Sequence, residues 1–191
     1  TADMMTYFAN FTGKLSHGVY KMAPNHFDLA WSADKVGAMR NQVYVMGRFD
    51  LNPGEAFVVD VSDGGAEYFT VPLSNIWGTT LDIVDRTGSL NKAQSRPNDD
   101  GTYTYVIAPT DPGVANWIDS DGLLEGILTL RLAAFGGEGP KDDLGARGRV
   151  VKLDQLEREV PGLRRVSEAE RATELADRRA AYLRRLPEGT N

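Results

Sequence analysis

Short β-forming runs, each ended by a Gly or Pro turn, constrain the fold of this chain most. Gln42–Met46, Glu55–Val61 and Glu67–Val71 are rich in β-branched and aromatic residues, which favour strands. Asn52–Gly54 and Asp63–Gly65 separate these runs and carry strong turn signals. Strands that recur about every 8–12 residues between such turns are typical of an antiparallel β-sandwich or jelly roll. The sequence therefore predicts a mainly β fold and not a parallel α/β sheet.

The same pattern continues in the second half of the chain. Asp100-Gly101 predicts a turn, because Gly adopts a positive φ without steric cost. Asp111–Gly113 predicts another, since Pro112 fixes φ at the first central position and Gly113 is permissive at the next. The runs that predict further strands are Trp77–Val84, Thr102–Ile107 and Leu123–Leu132.

Several spaced motifs follow one another in order between roughly residues 40 and 133. They are Asn75–Trp77, Leu81–Asp82, Ser89–Asn91, Asp100–Tyr103, Asp111–Asp119, Gly126 and Arg131. In these motifs the sequence resembles the domain-of-unknown-function 1214 family. The resemblance implies a jelly-roll-like β domain that is frequently the C-terminal part of a longer bacterial protein. It implies no settled activity.

Composition shifts divide the chain into four regions. Residues 1–40 are an irregular lead-in with a predicted helix at Met4–Phe11, and residues 41–135 are the predicted β-sandwich core. Residues 136–149 begin with a Gly-rich stretch and are predicted to be a linker. Residues 150–191 form the predicted helical tail.

The tail carries clear helix signals. Val150–Val160 predicts a short helix, and Ser167 with Glu170 forms a capping box for a longer one that runs to Leu186 and stops at Pro187. The apolar stripe of this longer helix is modest. We therefore expect the tail to pack on its own domain or on a neighbouring subunit. The partner predicted here is a second copy of the chain or an upstream domain. Arg178, Arg179, Arg184 and Arg185 also complement the helix dipole.

Charge and cysteine usage exclude several classes of function. The net charge is −6, which disfavours nucleic acid as a partner, because phosphate binding needs a basic surface. The chain has no Cys, so thiolate metal sites and thiol nucleophiles are excluded. It has no apolar run of about 18 residues, so no transmembrane helix is predicted, and a soluble, cytoplasmic protein is favoured. The sequence starts at Thr1 rather than Met, as in a processed product or the C-terminal piece of a longer chain.

Recognisable catalytic motifs are absent from this sequence. It has no Gly-x-Ser-x-Gly elbow, and the Gly136–Gly139 stretch lacks the strand–loop–helix context of a phosphate loop. The two histidines, His17 and His26, lie outside the motif region and fit no metal-binding pattern. The sequence therefore predicts no metal site and no cofactor.

Polar and aromatic residues of the motif region are the candidate site. The predicted ligand-binding residues are Trp77, Asn91, Asn116 and Trp117, and the candidate catalytic residues are Asp111, Asp119 and Arg131. Indole faces with Asn, Asp and Arg groups suit a carbohydrate-like or other oxygenated small molecule. Arg131 lies in an apolar run and is expected to pair with a carboxylate. The structural alternative is a sheet corner in which Trp117 is core and Asp111 and Asn116 hold turns.

Three functional hypotheses remain open on the sequence alone. The first is a small-molecule-binding β-sandwich that belongs to a larger or oligomeric assembly. The second is an enzyme that uses carboxylate acid–base chemistry, with Asp111 and Asp119 as the pair. The third is an accessory domain that only forms oligomers. The polar loop at residues 85–101 is a further candidate for binding, because long loops beside rigid sheets often carry function.

Overall fold

Nine strands form two sheets in the part of the chain that the structure, a computed structural model, describes: residues 2–32, 41–137 and 139–185. The helices are α1 (Ala2–Val19), α2 (Leu156–Glu159) and α3 (Glu168–Leu183). The strands are β1 (His26–Ser32), β2 (Gln42–Asp50), β3 (Glu55–Ser62), β4 (Tyr68–Ser74), β5 (Ser89–Asn91), β6 (Tyr103–Ala108), β7 (Trp117–Asp119), β8 (Glu125–Ala133) and β9 (Gly145–Lys152).

The two sheets have different strand orders. Sheet A has the order β1-β2-β8-β4-β5, and every neighbouring pair in it is antiparallel. Sheet B has the order β7-β6-β3-β9, and its β6–β7 pair is parallel. The predicted mainly β sandwich with a C-terminal helical appendage is therefore confirmed. None of the described helices has the length and apolar character needed to span a membrane.

The main core lies between the two sheets. Alternate residues point inward, among them Phe49 of β2, Phe57 of β3, Tyr105 of β6 and Leu128 of β8, and each is fully buried. Burying one such apolar side chain contributes about 1.5–3 kcal/mol. Gly126 is required in this core, because a Cβ there would lie 2.7 Å from the Phe49 ring.

A second, smaller core lies on the outer face of sheet B. Val58 of β3, Val106 of β6 and Trp117 of β7 form it, and Leu156 and Val160 pack against them. The segment after β9 therefore covers part of this face and leaves the rest open. The polar side chains of the open part line the cavities described below.

The sandwich extends beyond the predicted core, residues 41–135. His26–Ser32 pairs with β2 at one edge of sheet A. Gly145–Lys152 pairs with β3 along its whole length, so residues 145–149 are a strand and not part of a linker. The local sequence does not favour a strand here, because it contains Gly148 and the charged residues Arg147 and Arg149. The strand forms because this segment pairs with β3 in the folded protein. Residues 150–152 also belong to this strand, and of the predicted helix Val150–Val160 only Leu156–Glu159 is α-helical.

The predicted strand at Trp77–Val84 is wrong, because this stretch forms turns and bends with one isolated bridge, from Thr80 to Ser74. The Asn75 carboxamide oxygen accepts hydrogen bonds from the backbone N–H groups of Trp77 and Thr79, both at 3.0 Å. This side chain satisfies the backbone locally and stops the strand after β4.

Both longer helices were predicted. α1 contains the predicted Met4–Phe11 helix. At the start of α3, Ser167 N–H donates to Glu170 Oε2 at 2.8 Å, and Glu170 N–H donates to Ser167 Oγ at 3.3 Å, which confirms the capping box. The predicted stop at Pro187 lies outside the described residues.

Candidate ligand-binding site

Asp111 and Trp117 meet at one corner of sheet B through an arginine of α3. The indole of Trp117 donates to the carbonyl of Ala108 at 3.0 Å, and the Arg171 guanidinium lies 5.3 Å from the ring centroid. Arg171 Nε donates to Asp111 Oδ2 at 2.9 Å, and the same side chain also contacts Glu174 at 2.6 Å. Arg171 is only 7% exposed. The corner is therefore closed by an ion pair in which the arginine is buried and the carboxylate is partly exposed, and no sequence motif singled out Arg171.

Asn116 is buried and holds the backbone of a neighbouring loop. Its Oδ1 accepts from the Arg96 N–H at 2.8 Å, and its Nδ2 donates to the Arg96 carbonyl at 2.8 Å. Nδ2 also donates to the Thr104 carbonyl at 3.1 Å. These three bonds occupy the amide, so Asn116 positions the Arg96 loop.

Asp119 is 4% exposed and is paired with an arginine of the loop before β5. Arg86 Nη1 lies 2.8 Å from Asp119 Oδ2, and Arg86 Nε lies 2.9 Å from Asp121 Oδ1. The hydrogen bond and the charge of Asp119 raise the pKa of Arg86 above its ordinary value. Asp111 and Asp119 are thus each paired with an arginine, and neither carboxylate is without a partner.

Asn91 and Trp77 lie in local turns. Asn91 caps the 3₁₀ turn Lys92–Gln94: its Oδ1 accepts from the Gln94 N–H at 3.0 Å, and its own N–H donates to Gln94 Oε1 at 3.0 Å. Trp77 lies in the turn after β4 and is 54% exposed. The hydrogen bonds of Asn91 and of the Trp77 backbone are therefore local, and among the described residues no hydrogen bond or ring contact joins either residue to Asp111 or Trp117.

Arg131 lies on the opposite side of the molecule, on the outward face of sheet A. Its neighbours across the strands are Tyr44 and Thr70, and its guanidinium lies 5.7 Å from the Tyr44 ring. Within residues 2–32, 41–137 and 139–185 it forms no ion pair with a carboxylate, which contradicts the expected pairing. Because Leu130 and Leu132 point inward, the residue between them must point outward.

Of the two histidines, the structure describes the side chain of His26 only. His26 is exposed at the start of β1. The side chain of His17, in α1, lies outside the described part. No group of three or more His, Asp or Glu side chains among the described residues is arranged to hold a metal ion.

Three adjoining cavities of about 380, 590 and 600 Å³ lie beside the open part of the outer face of sheet B. The first two share Arg96, Ala115 and Arg164, and the last two share Asn98. We call these three neighbouring cavities together the sheet B groove. The residues that define it are Arg96, Asn98, Thr104, Ala115, Asn116 and Arg164.

A hydrogen-bonded network forms part of the groove wall. Thr104 is 8% exposed; its Oγ1 donates to Asp60 Oδ1 at 2.8 Å and accepts from Asn98 Nδ2 at 3.0 Å. Arg149 pairs with Asp60. Since each member is held by its neighbours, the network presents polar groups in fixed positions.

The Ala115–Asn116 dipeptide fixes two arginine-bearing segments beside the groove. The Ala115 N–H donates to the Arg164 carbonyl at 2.9 Å, while the Asn116 amide holds Arg96 as described. Tyr105 also holds the Arg96 segment, because its buried hydroxyl donates to Oγ of Ser95, the residue before Arg96, at 2.8 Å. Burial raises the pKa of Tyr105, so this hydroxyl is protonated at neutral pH.

Two carboxylates around the groove are engaged locally. Hydrogen bonds from Ser167 lower the pKa of Glu170, and the charge of Arg164 lowers it further. Hydrogen bonds from Thr102 lower the pKa of Asp100. Both groups are therefore ionised at neutral pH. Arg96 lies within the 85–101 loop, which the sequence analysis named as a candidate for binding. No sequence signal indicated Arg164, which the tertiary structure places beside the groove.

Comparisons with known proteins give a fold and no activity. No protein-family model matches the sequence, and no curated protein matches it. The crystal structure of an uncharacterized protein from Burkholderia cenocepacia is similar, with 30% identity and a TM-score of 0.62 over 78% of this chain and 39% of that chain. The VPA0106 protein from Vibrio parahaemolyticus matches with 15% identity and a TM-score of 0.43 over 78% of this chain and 42% of that one. The chain thus spans about two fifths of each of these proteins.

Proposed function

We propose that this chain is a small-molecule-binding β-sandwich domain whose ligand is a carbohydrate-like or other oxygenated organic compound held in the sheet B groove. The observation that carries the proposal is the set of three neighbouring cavities, which are lined by polar groups and by two arginines that form no ion pair among the described residues. Its middle cavity, about 590 Å³, falls within the range of about 300–1,000 Å³ typical of small-molecule sites.

The lining of the groove favours a hydrophilic ligand. Asn98, Thr104 and Asn116 contribute amide and hydroxyl groups, and Arg96 and Arg164 contribute guanidinium donors. The Asn98, Thr104 and Asn116 donors are already hydrogen-bonded within the protein. An apolar ligand would therefore leave the guanidinium donors of Arg96 and Arg164 without partners, which costs free energy. Hydroxyl and carboxyl groups of an oxygenated compound would satisfy them.

Binding is favoured over acid–base catalysis by the pairing and the position of the two candidate carboxylates. Asp111 is paired with Arg171, and Asp119 is paired with Arg86. Neither carboxylate is among the residues that line the three cavities, so neither can exchange a proton directly with a ligand bound there. The enzyme hypothesis therefore receives less support than the binding hypothesis.

A thermal-shift screen of sugars, sugar acids and hydroxy acids, followed by calorimetry, tests the proposal. Ala115 lines two of the three cavities, so Ala115→Phe should fill the groove and abolish binding of a compound that binds the wild type. Ala180→Phe, at an exposed position of α3 outside the cavity linings, is the matched control and should bind normally. The proposal fails if no compound binds, or if Ala115→Phe binds as well as the control.

Assembly is a second candidate function, favoured by how α3 docks. Besides Arg171, two further arginines of this helix make polar contacts: Arg178 donates to the carbonyls of Ile83 and Ser89, and Arg179 pairs with Asp85. Tyr182 and Leu183 remain 38% and 44% exposed. We propose that this end of the helix contacts a second copy or another domain. Light scattering of the wild type and of the double variant Tyr182→Ser/Leu183→Ser tests self-association. If both proteins have the mass of a single chain, self-association is contradicted.

Membership of the domain-of-unknown-function 1214 family is also a proposal. It is supported by the structural roles of three motif positions: Gly126 lies against Phe49, Asp111 accepts from the Gly113 N–H, and Asn116 holds the Arg96 loop. An alignment of homologous sequences tests it. Residues with the same backbone requirements should recur at these positions, and unrelated residues there would contradict membership.

A further inference from the structure

We propose that the ligand of the sheet B groove carries an oxyanion, a carboxylate or a phosphate, which binds between Arg96 and Arg164. This inference rests on the proposed function and narrows its ligand class. Its basis is which charged side chains around the groove have ion-pair partners and which do not.

Several neighbouring charged side chains have partners of their own, whereas these two guanidinium groups form no ion pair among the described residues. Glu174 pairs with Arg171, and Glu170 accepts hydrogen bonds from Ser167. Arg165 pairs with Glu157 at 2.6 Å. Across the described ranges, neither Arg96 nor Arg164 has a carboxylate oxygen within 4.0 Å of its guanidinium nitrogens. Two positive charges without ion-pair partners therefore line the same cavities of a protein whose net charge is −6.

The fold fixes both arginines from a single point. Ala115 N–H binds the Arg164 carbonyl, and the next residue, Asn116, binds the N–H and the carbonyl of Arg96. Their Cα positions are therefore set by adjacent residues of one buried segment, although their side chains are exposed. Such a geometry lowers the ordering cost of binding, because only the side chains must become fixed.

The chemistry of guanidinium selects the ligand group. Its planar donors match the two oxygens of a carboxylate or phosphate, and charge-assisted hydrogen bonds are about twice as strong as neutral ones. Asp99 also lines the middle cavity and carries the opposite charge. Its negative charge weakens the binding of an anion, so removing that charge should raise the affinity for the anion.

Matched neutral and anionic probes distinguish this inference from the proposed function. Calorimetry would compare galactose with galacturonate, and glucose with glucose 6-phosphate, on the folded full chain. We expect each anionic member to bind about tenfold or more tightly than its neutral partner. The stronger of the two anions then identifies the carboxylate or the phosphate as the preferred group.

Three substitutions locate the anion. Arg96→Gln and Arg164→Gln should each lower the affinity for the anionic probe about tenfold or more and leave the neutral probe's affinity nearly unchanged. Asp99→Asn should raise the anion's affinity. Arg131→Gln, on the opposite face of the sandwich, is the matched control and should have no effect. All four side chains are exposed, and melting temperatures would confirm that each variant is folded.

The possible failures are distinct. If neutral and anionic probes bind equally tightly, the oxyanion inference is overturned. If Ala115→Phe also abolishes that binding, the groove is still the binding site. Anion binding that Arg131→Gln weakens and Arg96→Gln leaves unchanged would also overturn it. If none of the four probes binds, the inference fails for these anions, and the wider compound screen decides the proposed function separately.

Discussion

Arg171→Met tests the claim that an ion pair holds α3 against the corner of sheet B. The substitution removes the bonds to Asp111, Glu174 and the Val114 carbonyl, and the contact with the Trp117 ring. Loss of one partner of a fully buried pair costs about 3–5 kcal/mol. Here the Asp111 and Glu174 side chains are 31% and 44% exposed and can be rehydrated. We therefore expect a loss of about 2–3 kcal/mol.

Urea unfolding followed by tryptophan fluorescence measures this loss, and hydrogen exchange locates it. Amides of α3 should lose protection, whereas those of β3 and β6 should keep it relative to global unfolding. Arg158→Met is the control, because its side chain is 75% exposed, and its effect should be within about 0.5 kcal/mol. A change below about 0.5 kcal/mol for Arg171→Met, with unchanged protection of α3, would refute the reasoning.

Three further predictions concern the core, the loop anchor and pH. Gly126→Ala should destabilise the protein by about 1–3 kcal/mol in urea unfolding, because its Cβ would lie 2.7 Å from the Phe49 ring. Asn116→Ala should cost about 1–3 kcal/mol, since it leaves buried backbone groups without partners, and it should weaken ligand binding through the Arg96 loop. Because burial raises the folded-state pKa of Tyr105, its contribution to stability is complete below the ordinary pKa of 10.0 and is lost as the pH rises above it. Stability should therefore fall more steeply above pH 10 in the wild type than in Tyr105→Phe.

Each of these predictions has a contradicting result. Gly126→Ala with wild-type stability would mean that the strand shifts at no cost. Asn116→Ala that loses stability but binds ligand normally would separate the loop anchor from the groove. Equal alkaline slopes for the wild type and Tyr105→Phe would show that this hydroxyl is not the group that titrates.

The β-sandwich could be predicted because its signals are local. The turn at Asp63–Gly65 and the β-branched and aromatic residues of Glu55–Val61 are local features, and both elements are present. Gly145–Lys152 gave no such signal, since only its pairing with β3 makes it a strand. Trp77–Val84 gave a misleading one: its β-branched residues favour a strand, but the Asn75 side chain holds a turn there.

The candidate site was harder to predict because it depends on contacts between distant segments. The sequence associated Asp111 with Trp117, which do lie together, but the arginine that joins them is Arg171, in a helix after β9. It expected Arg131 to pair with a carboxylate, although Leu130 and Leu132 point into the core and Arg131 between them therefore points out from sheet A. Arg164 is not part of any motif in the sequence. It reaches the groove because Ala115 binds its carbonyl.

Chemical-shift mapping of a compound from the screen tests the central claim most directly. Titrated into ¹⁵N-labelled protein, the compound should shift the amides of Arg96, Asn98, Ala115 and Arg164 together, with one dissociation constant. The amides around Tyr44, on the outward face of sheet A, should not move. Shifts confined to that face, or no saturable shift in the sheet B groove, would contradict the account.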